Sequence, residues 1–320
     1  MNFLNLAARM PAAIAQGMIW GIMALGIYIT FRILGVSDLS VDGTFATGGA
    51  VSVMLILAGC PASLALLAAI AAGLAAGFVT GLLHTKLGIP AILSGILTQF
   101  ALYSINLRIM GMKSNQTASL KNFGMFYQNG TGFLLSSRYI PLAILVGGIL
   151  ALLIILLLYW YFGTEQGSAI RATGSNPNMA GAQGINISNM KLLGLSLSNG
   201  IIALAGAMMT QFQGTADVNM GRGAIVIGLA AIVIGEVICD AIFRKGSNFG
   251  IRLGFVVLGG ILYYIVMTVI LWLKLDPNDL KLFTAIIVAV FLAVPYLQQQ
   301  SRSSFGHAAK LSRKEDDKNA

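Results

Sequence analysis

The apolar residues of this chain come in blocks long enough to cross a bilayer. A helix rises 1.5 Å per residue, so about 20 residues cover a ~30 Å hydrocarbon core. Nine such blocks can be read, at 12–33, 43–59, 61–83, 89–110, 139–162, 189–212, 222–243, 250–271 and 280–297. Of the 320 residues, 57% are hydrophobic and 10% are charged, against about a quarter charged in a soluble domain. Water could not accommodate that ratio, whereas lipid can. The expected fold is therefore an all-α, polytopic transmembrane helical bundle of about nine spans (eight to ten). Residues 1–300 form the membrane domain and 301–320 a polar tail, mixed in charge and expected to be disordered.

The net charge of +9 does not indicate a nucleic-acid partner, because the basic residues are scattered over short loops and the tail. Such charges set orientation. With 163–188 placed on the cytoplasmic side, that face holds twelve Lys/Arg and the other eight. The carboxyl tail then lies inside and, with nine spans, the amino terminus outside. Cys60 and Cys239 lie in or beside apolar runs without metal or redox spacing. No cleavable signal peptide is visible, so the first apolar block reads as a span.

The chain also repeats itself. Gly21-Ile22-x-Ala24-Leu25 matches Gly200-Ile201-x-Ala203-Leu204, and the same 179-residue shift brings Asp38 onto Asp217, Gly49 onto Gly228 and Gly81 onto Gly260. Five spans separate the start of the two copies (about 12–110 and 190–297), which makes the repeat inverted, as in transporters that alternate access. Each copy has a polar break. One is Gly35-Val-Ser-Asp38-Leu-Ser40-Val-Asp42-Gly43; the other is Gly214-Thr-Ala-Asp217-Val-Asn219-Met-Gly221-Arg222-Gly223. Irregular backbone at membrane depth survives where protein or a water-filled cavity satisfies it. Asp38, Ser40, Asp217 and Asn219, with Asn199, Gln211 and Gln213 on the neighbouring span, are thus candidates for a translocation path. Asp38 and Asp217 could equally cap the next helix, and for Asp42 the cap is the favoured role.

Gly73, Gly77 and Gly81 fall on one helix face and permit close packing, within the chain or along a seam between two copies. Glu236 and Asp240 share a face near a span end, where Arg244 could pair with Asp240 or the acids could serve the path. His84 is a lone loop histidine. A phosphate-binding G-x-x-x-x-G-K-[ST] loop is absent, as is any nucleophile–base constellation or His/Cys cluster. Catalysis by this chain is not expected, and any drive for transport would come from an ion gradient or another subunit.

The most specific stretch is Thr164-Glu-Gln-Gly167-Ser-Ala-Ile170-Arg171-Ala172-Thr-Gly174-Ser-Asn176-Pro-Asn-Met-Ala180-Gly-Ala-Gln-Gly184-Ile185-Asn186, followed by Lys191, Leu197-Ser198-Asn-Gly200 and Leu204-Ala205-Gly206. It resembles the cytoplasmic coupling loop of ABC importer permeases of the branched-chain amino acid and ribose type, and most of all tryptophan/tyrosine-type permeases. Asp38-Leu39-Ser40-Val41 resembles the sugar-permease motif of that family. Similarity runs over most of 12–295. Glu236 departs from it, standing where many relatives carry a small residue, although the aromatic-type subgroup carries Glu.

The resemblance implies a permease subunit in a bacterial cytoplasmic membrane, paired with a second copy or close paralogue. Arg171, Gly174, Asn176, Ala180, Gly184 and Ile185 would engage an ATPase subunit, which would bind ATP and Mg; this chain would hold no cofactor. An external solute-binding lipoprotein would deliver a small solute, an amino acid by subgroup. Two other classes stay open from the residues alone: an ion-gradient secondary transporter and a non-transporting membrane scaffold.

Overall fold

The computed structural model describes residues 3–118, 135, 140–243 and 248–272, with six isolated positions between 282 and 293. The block expected at 280–297, the tail from Ser301 and Arg244 lie largely or wholly outside the described residues. The described residues of unit Met1–Lys274 are almost entirely helical. Seven helices among them are long and apolar enough to span a bilayer.

Helix α1 (Phe3–Tyr28) ends in a π-turn over Ile29–Ile33, closed by Leu34 N–H on the Ile29 carbonyl at 3.0 Å. An irregular segment, 34–40, leads to α2 (Val41–Leu57), then α3 (Ala62–Thr85) and α4 (Ala91–Ile109). After strand β1 (Asn115–Thr117) come α5 (Ile140–Gly163), two short helices α6 (Glu165–Ser175) and α7 (Pro177–Ala182), and the long α8 (Ile187–Gln213). Strand β2 (Thr215–Asp217), α9 (Ala224–Phe243) and α10 (Phe249–Trp272) complete the unit. β1 and β2 pair antiparallel, Gln116 opposite Ala216.

Burial sorts the helices. α1 and α8 are the most enclosed spans, whereas α4 and α5 are the least. Leu145, Ile149, Leu152, Leu156 and Trp160 of α5 point outward, an apolar face that only lipid or another membrane protein could cover. α2 is different in kind. It has 17 residues, about 26 Å of helix against a ~30 Å hydrocarbon core, and carries Thr44, Thr47 and Ser52 on a largely buried surface. Its sheath is protein, which is why its sequence can be polar.

Small residues set how closely α2, α3 and α8 approach. A Cβ on Gly48 of α2 would collide with the Ala203 carbonyl of α8, and one on Gly206 with the Phe45 carbonyl. Gly73, Gly77 and Gly81 of α3 meet Asn199, Leu195 and Leu192 of α8 in turn. That glycine face is thus used within the chain. At the end of α8, Gly214 adopts φ +75° and its N–H bonds to the Thr210 carbonyl at 2.8 Å, a left-handed stop that glycine adopts without a Cβ clash.

The contrast between glycines is testable. Gly77→Leu forces side-chain atoms into the Leu195 carbonyl, and overpacking of this kind costs about 1–3 kcal/mol. Gly148→Leu enters open space on α5. Thermal unfolding in detergent should show a clear fall in Tm for the first variant and none for the second.

Candidate functional site

Three places concentrate polar chemistry: a buried cluster at the first break, a cavity beside the second break, and the elbow between α5 and α8.

In the cluster, Asp38 is 3% exposed, and neither of the two ion pairs found among the described residues involves it. Hydrogen bonds take the place of a counter-charge. Ser40 donates to Asp38 Oδ1 from its N–H at 2.8 Å and from its hydroxyl at 2.6 Å, and Asn199 Nδ2 donates to Oδ2 at 2.8 Å. Asn199 Oδ1 accepts from Thr44 Oγ at 2.7 Å and lies 3.2 Å from Ser40 Oγ. The Asp-x-Ser spacing makes this possible, because the carboxylate folds back on the amide two residues later. The cluster links the first break to α8, and Gly95 of α4 backs onto Leu39 N–H and Asp38. A 160 Å³ cavity touches its other side, between Thr30, Asp38 and Leu229.

The second break leads to α9, whose first amides would otherwise lack acceptors. Asp42 of α2 supplies them: Oδ2 accepts from Gly223 N–H at 2.9 Å and Oδ1 from Ile225 N–H at 3.2 Å. The cap is thus given across the bundle rather than to Asp42's own helix. Asp217 caps its own turn, accepting from Asn219 N–H at 2.6 Å. Gly221 lies so close to the Asp42 carbonyl that no Cβ fits there. Beside this junction opens a cavity of about 270 Å³, lined by Asp42, Gln99, Phe100, Tyr103, Asn106, Asn219 and Arg222 among others.

The path candidates therefore separate. Asp38, Ser40 and Asn199 share one cluster, and Asn219 borders the larger cavity. Asp217 sits in the ribbon strand β2, 179 residues from Asp38 in sequence and at the other end of α8 from the elbow. Gln211 is a bracket, with Nε2 donating to the Ala62 carbonyl at 3.2 Å and to Ser52 Oγ at 3.4 Å. Gln213 is exposed at the end of α8.

At the elbow, three side chains start three helices. Thr164 Oγ accepts from Gly167 N–H, Asn176 Oδ1 from Met179 N–H and Asn186 Oδ1 from Asn189 N–H. Pro177 stands in the first turn of α7, where its missing N–H costs nothing. Arg171 is exposed on α6, Ala180 is buried, and Gly184 turns with φ +84°. Ile185 closes α7, its N–H on the Ala180 carbonyl at 3.1 Å. Gly174 packs against the Ile33 carbonyl so tightly that a Cβ would overlap it.

Two ion pairs lie near the same end. Arg32 Nε is 2.8 Å from Glu236 Oε1, joining the π-turn of α1 to α9, and Asp240 lies 3.7 Å from Arg252 of α10. His84, expected in a loop, lies in the last turn of α3, where its Nδ1 contacts the Ile89 carbonyl at 2.9 Å. No group of three potential metal ligands occurs among the described residues.

The family described as "Branched-chain amino acid transport system / permease component" matches residues 10–295. This chain belongs to that permease family. The permease is 38% identical over 282 residues to the tyrosine transport system permease protein of Clostridioides difficile, covering 88% of this chain and 90% of that one. It is 33% identical to an uncharacterized protein of Rickettsia prowazekii, over 88% and 95% of the two chains. The ribose import permease of Escherichia coli strain K12 is 28% identical over 74% of this chain and 71% of its own. No solved structure matches the permease.

Sequence reasoning passed over Gln99, Tyr103 and Asn106 of α4. Their spacing of four and then three residues draws a polar stripe on an otherwise apolar span, a signal available in advance. Thr44 and the Arg32–Glu236 pair needed the fold. Asn199→Ala removes both the donor to Asp38 and the acceptor for Thr44, and a buried group left unpaired costs about 1–3 kcal/mol. Asn199→Asp sets a second carboxylate against Asp38 and should lower Tm in detergent further than the alanine variant.

Proposed function

We propose that this permease is the membrane-spanning subunit of an ATP-driven ABC importer for a small solute, an amino acid. ATP and Mg are bound and hydrolysed on separate ATPase subunits, and an external solute-binding lipoprotein delivers the cargo. The permease works in a bacterial cytoplasmic membrane as a pair, with a second copy or a close paralogue, and its carboxyl tail is cytoplasmic. The single observation that carries this reading is the permease-family match over residues 10–295, and the geometry that suits coupling is the contact of Gly174 with the Ile33 carbonyl.

Through that contact the elbow at 163–188 bears directly on the end of α1. Ile33 is followed at once by the 34–40 segment that carries Asp38. A rigid-body push on α6 thus reaches the polar cluster through two closely packed backbones, with no flexible side chain between. Exposed Arg171 and the small residues around Gly184 give the elbow a charged, closely approachable outer face for a partner groove.

The two halves form an inverted duplication, about 12–110 and 190–297. Supporting this, α2 and α9 both start part-way along the central helices, each after a break, as the discontinuous helices of alternating-access transporters do. Amino-acid cargo is favoured by the relative named for tyrosine transport, which matches at higher identity and coverage than the ribose permease.

Arg171→Glu and Gly174→Leu test the coupling. Both variants, co-expressed with the cognate ATPase, should lose most of their co-purification and their ATP-driven uptake in proteoliposomes. Full retention of both, or labelling of the elbow from outside intact cells, would refute the proposal. Uptake by the permease alone under a proton or sodium gradient would favour a secondary transporter instead.

A further inference from the structure

We infer that the 270 Å³ cavity between α2, α4 and the start of α9 is a binding site for a zwitterionic aromatic amino acid, with Arg222 holding the carboxylate and Phe100 and Tyr103 the ring. This rests on the importer reading above and adds to it the place and the chemistry of recognition.

The size suits a small solute, lying just below the ~300–1,000 Å³ of pockets for drug-sized ligands. The charges are arranged for a molecule that carries both signs. Arg222 is exposed to the cavity side of the loop, and neither ion pair among the described residues engages it. A guanidinium offers paired donors that match a carboxylate. Asp42, whose oxygens accept from the Gly223 and Ile225 amides, makes no ion pair with it among the described residues. Its charge nevertheless remains in the wall, and a ligand ammonium would be favoured on that side.

Amides and rings fill the remainder. Asn106 is fully buried at the cavity floor; its Nδ2 donates to the Gly43 carbonyl at 3.4 Å, and its Oδ1 has no partner among the described residues. A buried acceptor left empty is costly, and this one belongs to a residue of the cavity wall. Phe100 and Tyr103 of α4 line the same cavity, and aromatic rings there suit stacking against a ring and a cation at the face. A neutral sugar would find the amides and rings but could answer neither charge of the wall, Asp42 or Arg222, whereas a zwitterion can meet both. That asymmetry decides for the amino acid.

The test measures binding of radiolabelled L-tyrosine to the full-length permease in nanodiscs, without ATPase. Competitors are tyramine (no carboxylate), 3-(4-hydroxyphenyl)propionate (no ammonium), L-leucine (no ring) and D-ribose. L-Tyrosine should bind at least about tenfold more tightly than any of the four, the usual effect of one lost charged contact. Arg222→Gln should weaken L-tyrosine about tenfold and leave tyramine unchanged, so that the two become equal. Phe100→Ala should weaken L-tyrosine more than L-leucine.

Absence of L-tyrosine binding, displacement by D-ribose at comparable concentration, or binding indifferent to Arg222→Gln and Phe100→Ala would overturn the site. ATP-driven uptake, measured in parallel with the ATPase added, keeps the two readings apart. Binding that follows the expected pattern without ATP-driven uptake sinks the importer and keeps the site. Uptake that is insensitive to both substitutions does the reverse.

Discussion

A helix that begins inside the apolar thickness of a membrane leaves its first amides where no water can reach them. Lipid offers no acceptor, and each unsatisfied group there costs several kcal/mol. α9 of this permease begins beside α2, and Asp42 answers the difficulty by accepting from the Gly223 and Ile225 amides. The first break has the matching problem in reverse, an acidic side chain buried without a cation, which Ser40 and Asn199 resolve. The rest of the bundle is arranged around keeping these two junctions closed. α1 and α8 shield them at the centre, α3 locks onto α8 through glycines, and α4 and α5 turn their leucines and isoleucines outward.

The same economy explains why α2 can be polar. Inside a protein sheath its threonines bond to neighbouring carbonyls, Thr44 to Ser40 and Thr47 to Gly43. Its glycines let α8 pass at backbone contact. The polar residues of the core are therefore neighbours of irregular backbone, and both occur where the proposed path would run.

Much of this was legible beforehand. Apolar block length placed the spanning helices to within a few residues, and the break at 34–40 was visible as glycine and acid in an apolar run. Asp42 as a cap also followed from its position, although its recipient did not: α9 starts 182 residues later, and only the fold brings Gly223 to it. For Asp240 the helical spacing points to Arg244, which lies outside the described residues; in space the neighbouring α10 presents Arg252 as well. Asp38 and Asp217 look alike because both stand in polar breaks 179 residues apart, yet in space Asp38 sits in the core cluster and Asp217 in strand β2. Residue type alone carries no depth.

The three-residue ribbon joining β1 to β2 has a mechanical corollary. It ties the end of α4 to the far tip of α8, and Gln211 pins the same tip to α2 and α3. A rod some 40 Å long, by its 27 residues, is thereby clamped at its ribbon end, while Gly77 and Gly81 of α3 grip it toward the elbow end at Leu195 and Leu192. On the importer reading, a force applied at the elbow would therefore have to carry α3 and α8 together as one rigid pair, with the ribbon as their fixed point.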